Sequence, residues 1–209
     1  MNIRKKQLRN LLVLTLVFIM SFSSIPVTRA NAASYFTGNK WNKSVVSIYV
    51  DDTPSSAQAG ITIPSIYYVY WRSSIIEAIG RWSMYLNSWN ADIRISLANS
   101  ASSADVVIKY GTRSTSWAQT FPTASNGVFQ KVEIEIRDWS FYQYNFDPLT
   151  QTDIVTHELG HALGLADISE AAAASAGISS IMVNSVYPPS AHFSGYPTNF
   201  DKTNIFTLY

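Results

Sequence analysis

Residues 157 to 167 read HELGHALGLAD, and the spacing of their side chains suits metal chemistry. Residues four apart on an α-helix sit about 40° apart around the axis, so His157 and His161 point the same way. Two imidazoles on adjacent turns can hold one Zn²⁺ at roughly 2.0 to 2.1 Å, while Glu158 reaches the water in the open coordination position. Zinc lowers the pKa of such a water from about 15.7 towards 7, which lets a carboxylate remove its proton at neutral pH. The expected reaction is attack of the resulting hydroxide on a polarised peptide carbonyl, with Glu158 as general base.

Taken alone, His and Glu on an exposed helix face need mean nothing, so the surroundings of the motif matter. Gly164 falls where the helix must stop, and glycine supplies the positive φ that a helix C′ position commonly needs. The chain can then turn back and bring Asp167, six residues beyond His161, to the same metal as a third ligand. An ordinary helix terminator and a turn or capping aspartate are the plainer readings of Gly164 and Asp167. Glu170 and His192 are the other candidates for the third ligand.

Elements that would position these residues are legible on both sides of the motif. Val45 to Val50 reads as a strand, and from about Tyr67 to Asn87 the residues Trp71, Ile75, Ala78, Ile79, Trp82 and Leu86 fall on one face of a long helix. That face is expected to be core, packed on a sheet. Ile93 to Leu97 and Asp105 to Tyr110 suggest two more strands, followed by a long polar loop from Gly111 to Gly127. Strict alternation from Val132 to Arg137, with Glu133, Glu135 and Arg137 on the wet side, predicts an edge strand. Asp147 and Pro148 are a cap and first position for the motif helix, with Thr150 or Thr152 as later caps. An alanine-rich segment at 171–176, a loop at Ile181-Met182 and a short amphipathic end from Asp201 to Tyr209 complete the chain.

The 209 residues are enough for one domain with a proper core. Residues 1–32 read instead as a signal peptide: Arg4, Lys5, Lys6 and Arg9 precede the apolar run Leu11 to Met20, and Ala30-Asn31-Ala32 supplies the small-residue cleavage pattern. That run is too short to span a bilayer, which takes about 20 apolar residues. We expect a secreted, extracellular product comprising residues 33–209, a monomer with no stable membrane association after the signal is removed. After residue 32 there are 10 basic and 14 acidic residues, a net charge of about −4, which argues against a nucleic-acid partner. Cysteine is absent, so disulfides, thiolate ligands and a cysteine nucleophile are excluded together.

HExxHxxGxx followed by a ligand, with Ser180-Ile181-Met182 downstream, resembles the metzincin clan of zinc peptidases. The order of elements over nearly all of the mature chain is similar to the matrix-metalloproteinase catalytic domain. The resemblance implies an α+β fold, with a twisted mixed sheet, a long backing helix, an active-site helix and a C-terminal helix. It also implies one catalytic zinc ion, an extended polypeptide substrate, and a turn at Met182 beneath the metal that packs without coordinating. The third ligand of the clan is typically histidine; the snapalysin type resembles this chain better at Asp167. Some members place a transition-state-stabilising tyrosine two residues after the methionine, where this chain has Asn184, so that role is not carried over. In the resembling family the edge strand, here Val132 to Arg137, aligns the substrate, and Ser185 to Pro189 correspond to the wall of the pocket just beyond the cut bond. A structural Ca²⁺ ion is left open.

Two other functions fit the same residues. A non-catalytic secreted zinc-binding protein would need a closed site with a fourth protein ligand, for which His192 is the candidate. A peptidase of cell-wall peptides would use the same kind of cleft as a protein-cleaving enzyme.

Overall fold

The computed structural model describes residues 35–51, 65–111, 116–137, 147–184 and 191–209. The expected signal segment and the 185–189 pocket wall lie outside these residues. Among the described residues no helix is long and apolar enough to cross a membrane. The elements in chain order are β1 (Val45–Asp51), α1 (Ser65–Ser88), β2 (Arg94–Leu97), β3 (Val106–Gly111), β4 (Ala118–Ser125), β5 (Val128–Arg137), α2 (Pro148–Ala162), α3 (Glu170–Ala176) and α4 (Asn199–Leu208).

The five strands form one mixed sheet in the order β2-β1-β3-β5-β4, with β4 antiparallel to β5 and the other pairs parallel. This matches the expected α+β class. The apolar face of α1 is core, since Trp71, Ile75, Ala78, Ile79, Trp82 and Leu86 are all buried in one cluster with the sheet residues Val46, Ile48, Ile108 and Ile134. Residues on that face also meet α2: Trp82 Nε1 donates to Thr156 O at 2.7 Å, and Ser74 Oγ donates to Gln151 Oε1 at 3.2 Å. Buried Arg81 donates to Asp153 Oδ1 at 2.6 Å and to Gly195 O at 2.5 Å, tying α1 to α2 and to the chain before α4. The long helix therefore fixes the motif helix as well as backing the sheet.

Two expectations about the sheet are corrected. The polar loop expected from Gly111 to Gly127 contains β4, and Val132 to Arg137 is consequently no edge. It belongs to β5, which pairs with β3 on one side and with β4 on the other. β4 escapes the alternation rule because its sequence, AQTFPTAS, has no valine or isoleucine and includes a proline. Proline lacks a ladder donor, but an outermost strand has one side without partners and tolerates it. Glu135, assigned to the wet side, is buried because its side chain lies where a Cβ on Gly111 would stand. Of the two outer strands, β4 is the one that lies beside the motif helix.

Candidate metal centre

Helix α2 begins where the sequence places its cap. Asp147 accepts from Leu149 N at 2.9 Å and Thr150 N at 3.0 Å, with Pro148 as the first helical residue. Its end is a Schellman turn: Leu165 N donates to Gly160 O at 3.0 Å and Gly164 N donates to His161 O at 2.9 Å, with Gly164 at φ +94°. Two further carbonyls at this end find donors from opposite ends of the chain. Trp41 Nε1 reaches Ala162 O at 2.8 Å, and Tyr209 Oη reaches Leu163 O at 3.2 Å. Burial raises the Tyr209 hydroxyl to about 12, so it stays a donor at any physiological pH.

Each motif histidine is oriented through its Nδ1. His157 Nδ1 lies 2.9 Å from Ile181 O, and His161 Nδ1 lies 2.9 Å from Leu165 O. A carbonyl only accepts, so both Nδ1 atoms carry hydrogen and each neutral ring presents a lone pair at Nε2. Asp167 Oδ1 lies 3.1 Å from His157 Nε2 and 3.4 Å from His161 Nε2. Taking one atom from each residue, the three ligand atoms lie within 4.8 Å of one another, a group that could hold a metal ion. The donor set, two neutral imidazoles and one carboxylate, is of the type that binds first-row divalent cations.

The segment carrying Asp167 is pinned on both sides. Before it, residues 164–166 bond to the N-terminal stretch, with Thr37 N to Gly164 O at 2.8 Å and Ala166 N to Tyr35 O at 3.0 Å. After it, Ile168 N donates to Met182 O and Asn184 N to Ile168 O, both at 2.8 Å. Gly164 is needed here twice over, because a Cβ would also sit 2.6 Å from Asn39 O. Met182 is buried against α2 at Gly160, where a Cβ would collide with Met182 Sδ. The Met182 turn is in turn held by the start of α4. Ser180 Oγ donates to Asp201 Oδ1 at 2.5 Å, Ile181 N donates to Asp201 Oδ2 at 3.4 Å, and Met182 N donates to Ser180 Oγ at 2.9 Å. A continuous bonded path thus runs from the α4 cap to the carbonyl that orients His157.

Electrostatics favour a negative Asp167 and a cation between the three groups. Burial works against ionisation, but hydrogen bonds from His157 and His161 hold the Asp167 carboxyl well below the usual carboxylate range. Burial likewise opposes charge on His161, yet the Asp167 carboxylate and the nearby Glu158 outweigh it and raise that ring to about 9. A site that stabilises a proton so strongly has the negative potential a divalent cation would exploit.

Glu158 is buried on the same helix and lines a cavity of about 430 Å³ together with His157, His161 and Asp167. Thr120, Ala118, Gln119 and Pro122 of β4 form one side of this cleft, and Asn184 contributes to it as well. Glu170 and His192, the other candidates for third ligand, are not in the cluster. Glu170 is exposed in the first turn of α3, and His192 Nδ1 sits 3.1 Å from Ile178 O. Sequence reading missed Thr120, which lay in the supposed loop. It also missed Gly160, whose need appears only once Met182 is seen against it.

No protein-family model matches this chain, and no curated protein does either. Among solved structures, the chain is similar to myroilysin, at 14% sequence identity and a TM-score of 0.40 over 82% of this chain and 86% of that one.

Proposed function

We propose that this chain is a secreted zinc-dependent endopeptidase of the metzincin type. His157, His161 and Asp167 are the metal ligands in this reading, and Glu158 is the general base. The observation that carries it is the convergence of two imidazole Nε2 atoms and one carboxylate oxygen beside a carboxylate that lines an open cleft. Glu158 is the group that takes a proton from the attacking water and returns it to the leaving amine. Bound zinc would acidify that water and polarise the substrate carbonyl. An extended polypeptide fits the edge of β4, where it would add as one more strand by main-chain hydrogen bonds. The substrate rail, expected at Val132 to Arg137, is thus reassigned to Ala118–Ser125.

A non-catalytic zinc-binding protein would require a closed coordination sphere. Among the described residues the group contains three ligands, with His192 elsewhere, and this favours a catalytic arrangement with one position left for water. The test is to measure zinc content and casein cleavage with and without a chelator, for the native sequence and for Glu158→Gln. The expected result is chelator-sensitive cleavage by the native chain, and a Gln variant that keeps its zinc but does not turn over. Stoichiometric zinc without cleavage of casein or of cell-wall peptides would favour the binding-protein reading.

A further inference from the structure

Ala118, Thr120 and Pro122 stand at alternate positions of β4, and all three line the cleft, as does Gln119. Thr120 is the polar member of that row. Its Oγ1 donates to Glu158 Oε2 at 2.6 Å and lies 3.0 Å from Glu158 O on the same residue. In register, Thr120 is paired with the fully buried Ile134 of β5, so its backbone belongs to a ladder and not to a loose loop. Thr120 is half-buried in the cleft wall, and its hydroxyl is turned onto Glu158.

We propose that Thr120 is a positioning residue for Glu158, and that it couples the substrate-bearing edge strand to the base. This rests on the proposed role of Glu158. A glutamate has three side-chain torsions, and a carboxylate free to rotate would spend little time aligned with the attacking water. The threonine hydroxyl occupies Oε2 and leaves Oε1 to accept the water's proton. Contact with the Glu158 backbone carbonyl sets the distance between β4 and α2. The hydroxyl of Thr120 bonds to Glu158, and Thr120 acts through that residue.

Thr120→Val keeps the shape and removes the hydroxyl, and Thr120→Ser keeps the hydroxyl. The measurements are kcat and KM on a fixed peptide, zinc affinity, melting temperature, and a crystal structure of the Val variant. The expected result is a fall in kcat of about 10- to 100-fold for Val, with KM, zinc affinity and melting temperature near those of the native protein. The Ser variant regains most of kcat, and the crystal structure of the Val variant finds the Glu158 carboxylate turned away from its native position. Native kcat in the Val variant beside an inactive Glu158→Gln overturns the inference and leaves the peptidase reading standing. Equal loss of kcat, zinc affinity and melting temperature in Val and Ser alike also overturns it, because Thr120 would then be purely structural. An active Glu158→Gln removes the base itself, and the inference with it.

Discussion

Gly160 and Met182 meet so closely that the helix and the turn beneath it leave no room for one methyl group between them. Helix propensity alone favours alanine over glycine by about 1 kcal/mol, so an exposed Gly160 would gain from the change. In this packing the sign reverses. Gly160→Ala is expected to destabilise the protein by about 1–3 kcal/mol, as overpacking does, and to weaken metal binding by shifting the turn whose Ile181 carbonyl orients His157. Thermal denaturation and a zinc titration check both effects; a variant more stable than the parent would show that the contact is slack.

Asp167 is separated from the competing ligands by a simple comparison. Asp167→Asn is expected to lower zinc affinity by more than the roughly 10- to 100-fold typical of losing an outer partner of a metal ligand. Glu170→Gln and His192→Ala should leave affinity within a few-fold, since both side chains lie away from the cluster. Competition with a chelator of known affinity measures the difference, and a larger loss in either control would move the third ligand elsewhere.

The His161–Asp167 pair gives metal-free and metal-bound protein opposite responses to pH. The folded value for His161, about 9, stands above the ordinary 6.5, so stabilisation by the protonated ring is complete below pH 6.5 and is lost as pH rises through about 9. At the acid end, Asp167 is depressed from 3.8, so its contribution is present above that value and fades as pH falls below it. Metal requires the neutral ring and gains across the window in which the pair loses. Chelator-treated protein should therefore melt at lower temperature at pH 9 than at pH 6, while the increment produced by zinc grows. His161→Gln should abolish the fall in the metal-free protein, and a fall that persists in that variant assigns it to another group.

Much of the fold was legible because periodicity reports burial directly. The α1 face from Trp71 to Leu86 and the alternation around Ile134 both name core positions, and all of those are buried. The α2 boundaries were legible too, with Asp147 proving to be the cap and not Thr150 or Thr152, since Asp147-Pro148 and Gly164 act through local backbone chemistry. What could not be read was β4. An outermost strand over a polar cleft has no reason to alternate apolar residues, so AQTFPTAS looks like a loop until β5 pairs with it. Missing it turned β5 into an edge and hid Thr120. In the candidate site, helical spacing pairs His157 with His161 and the glycine turn lets Asp167 reach them, but the choice between Asp167, Glu170 and His192 depended on tertiary placement. Bonds from Tyr35, Thr37, Met182 and Asp201 are long-range contacts with no local sequence signal.

The most direct test is anomalous diffraction at the zinc absorption edge from crystals grown with ample zinc. One ion bonded to His157 Nε2, His161 Nε2 and a carboxylate oxygen of Asp167, with its remaining position open to the cleft beside Glu158, is the predicted result. A folded protein with no ion between those three side chains, or with a fourth protein ligand closing the sphere, would contradict it.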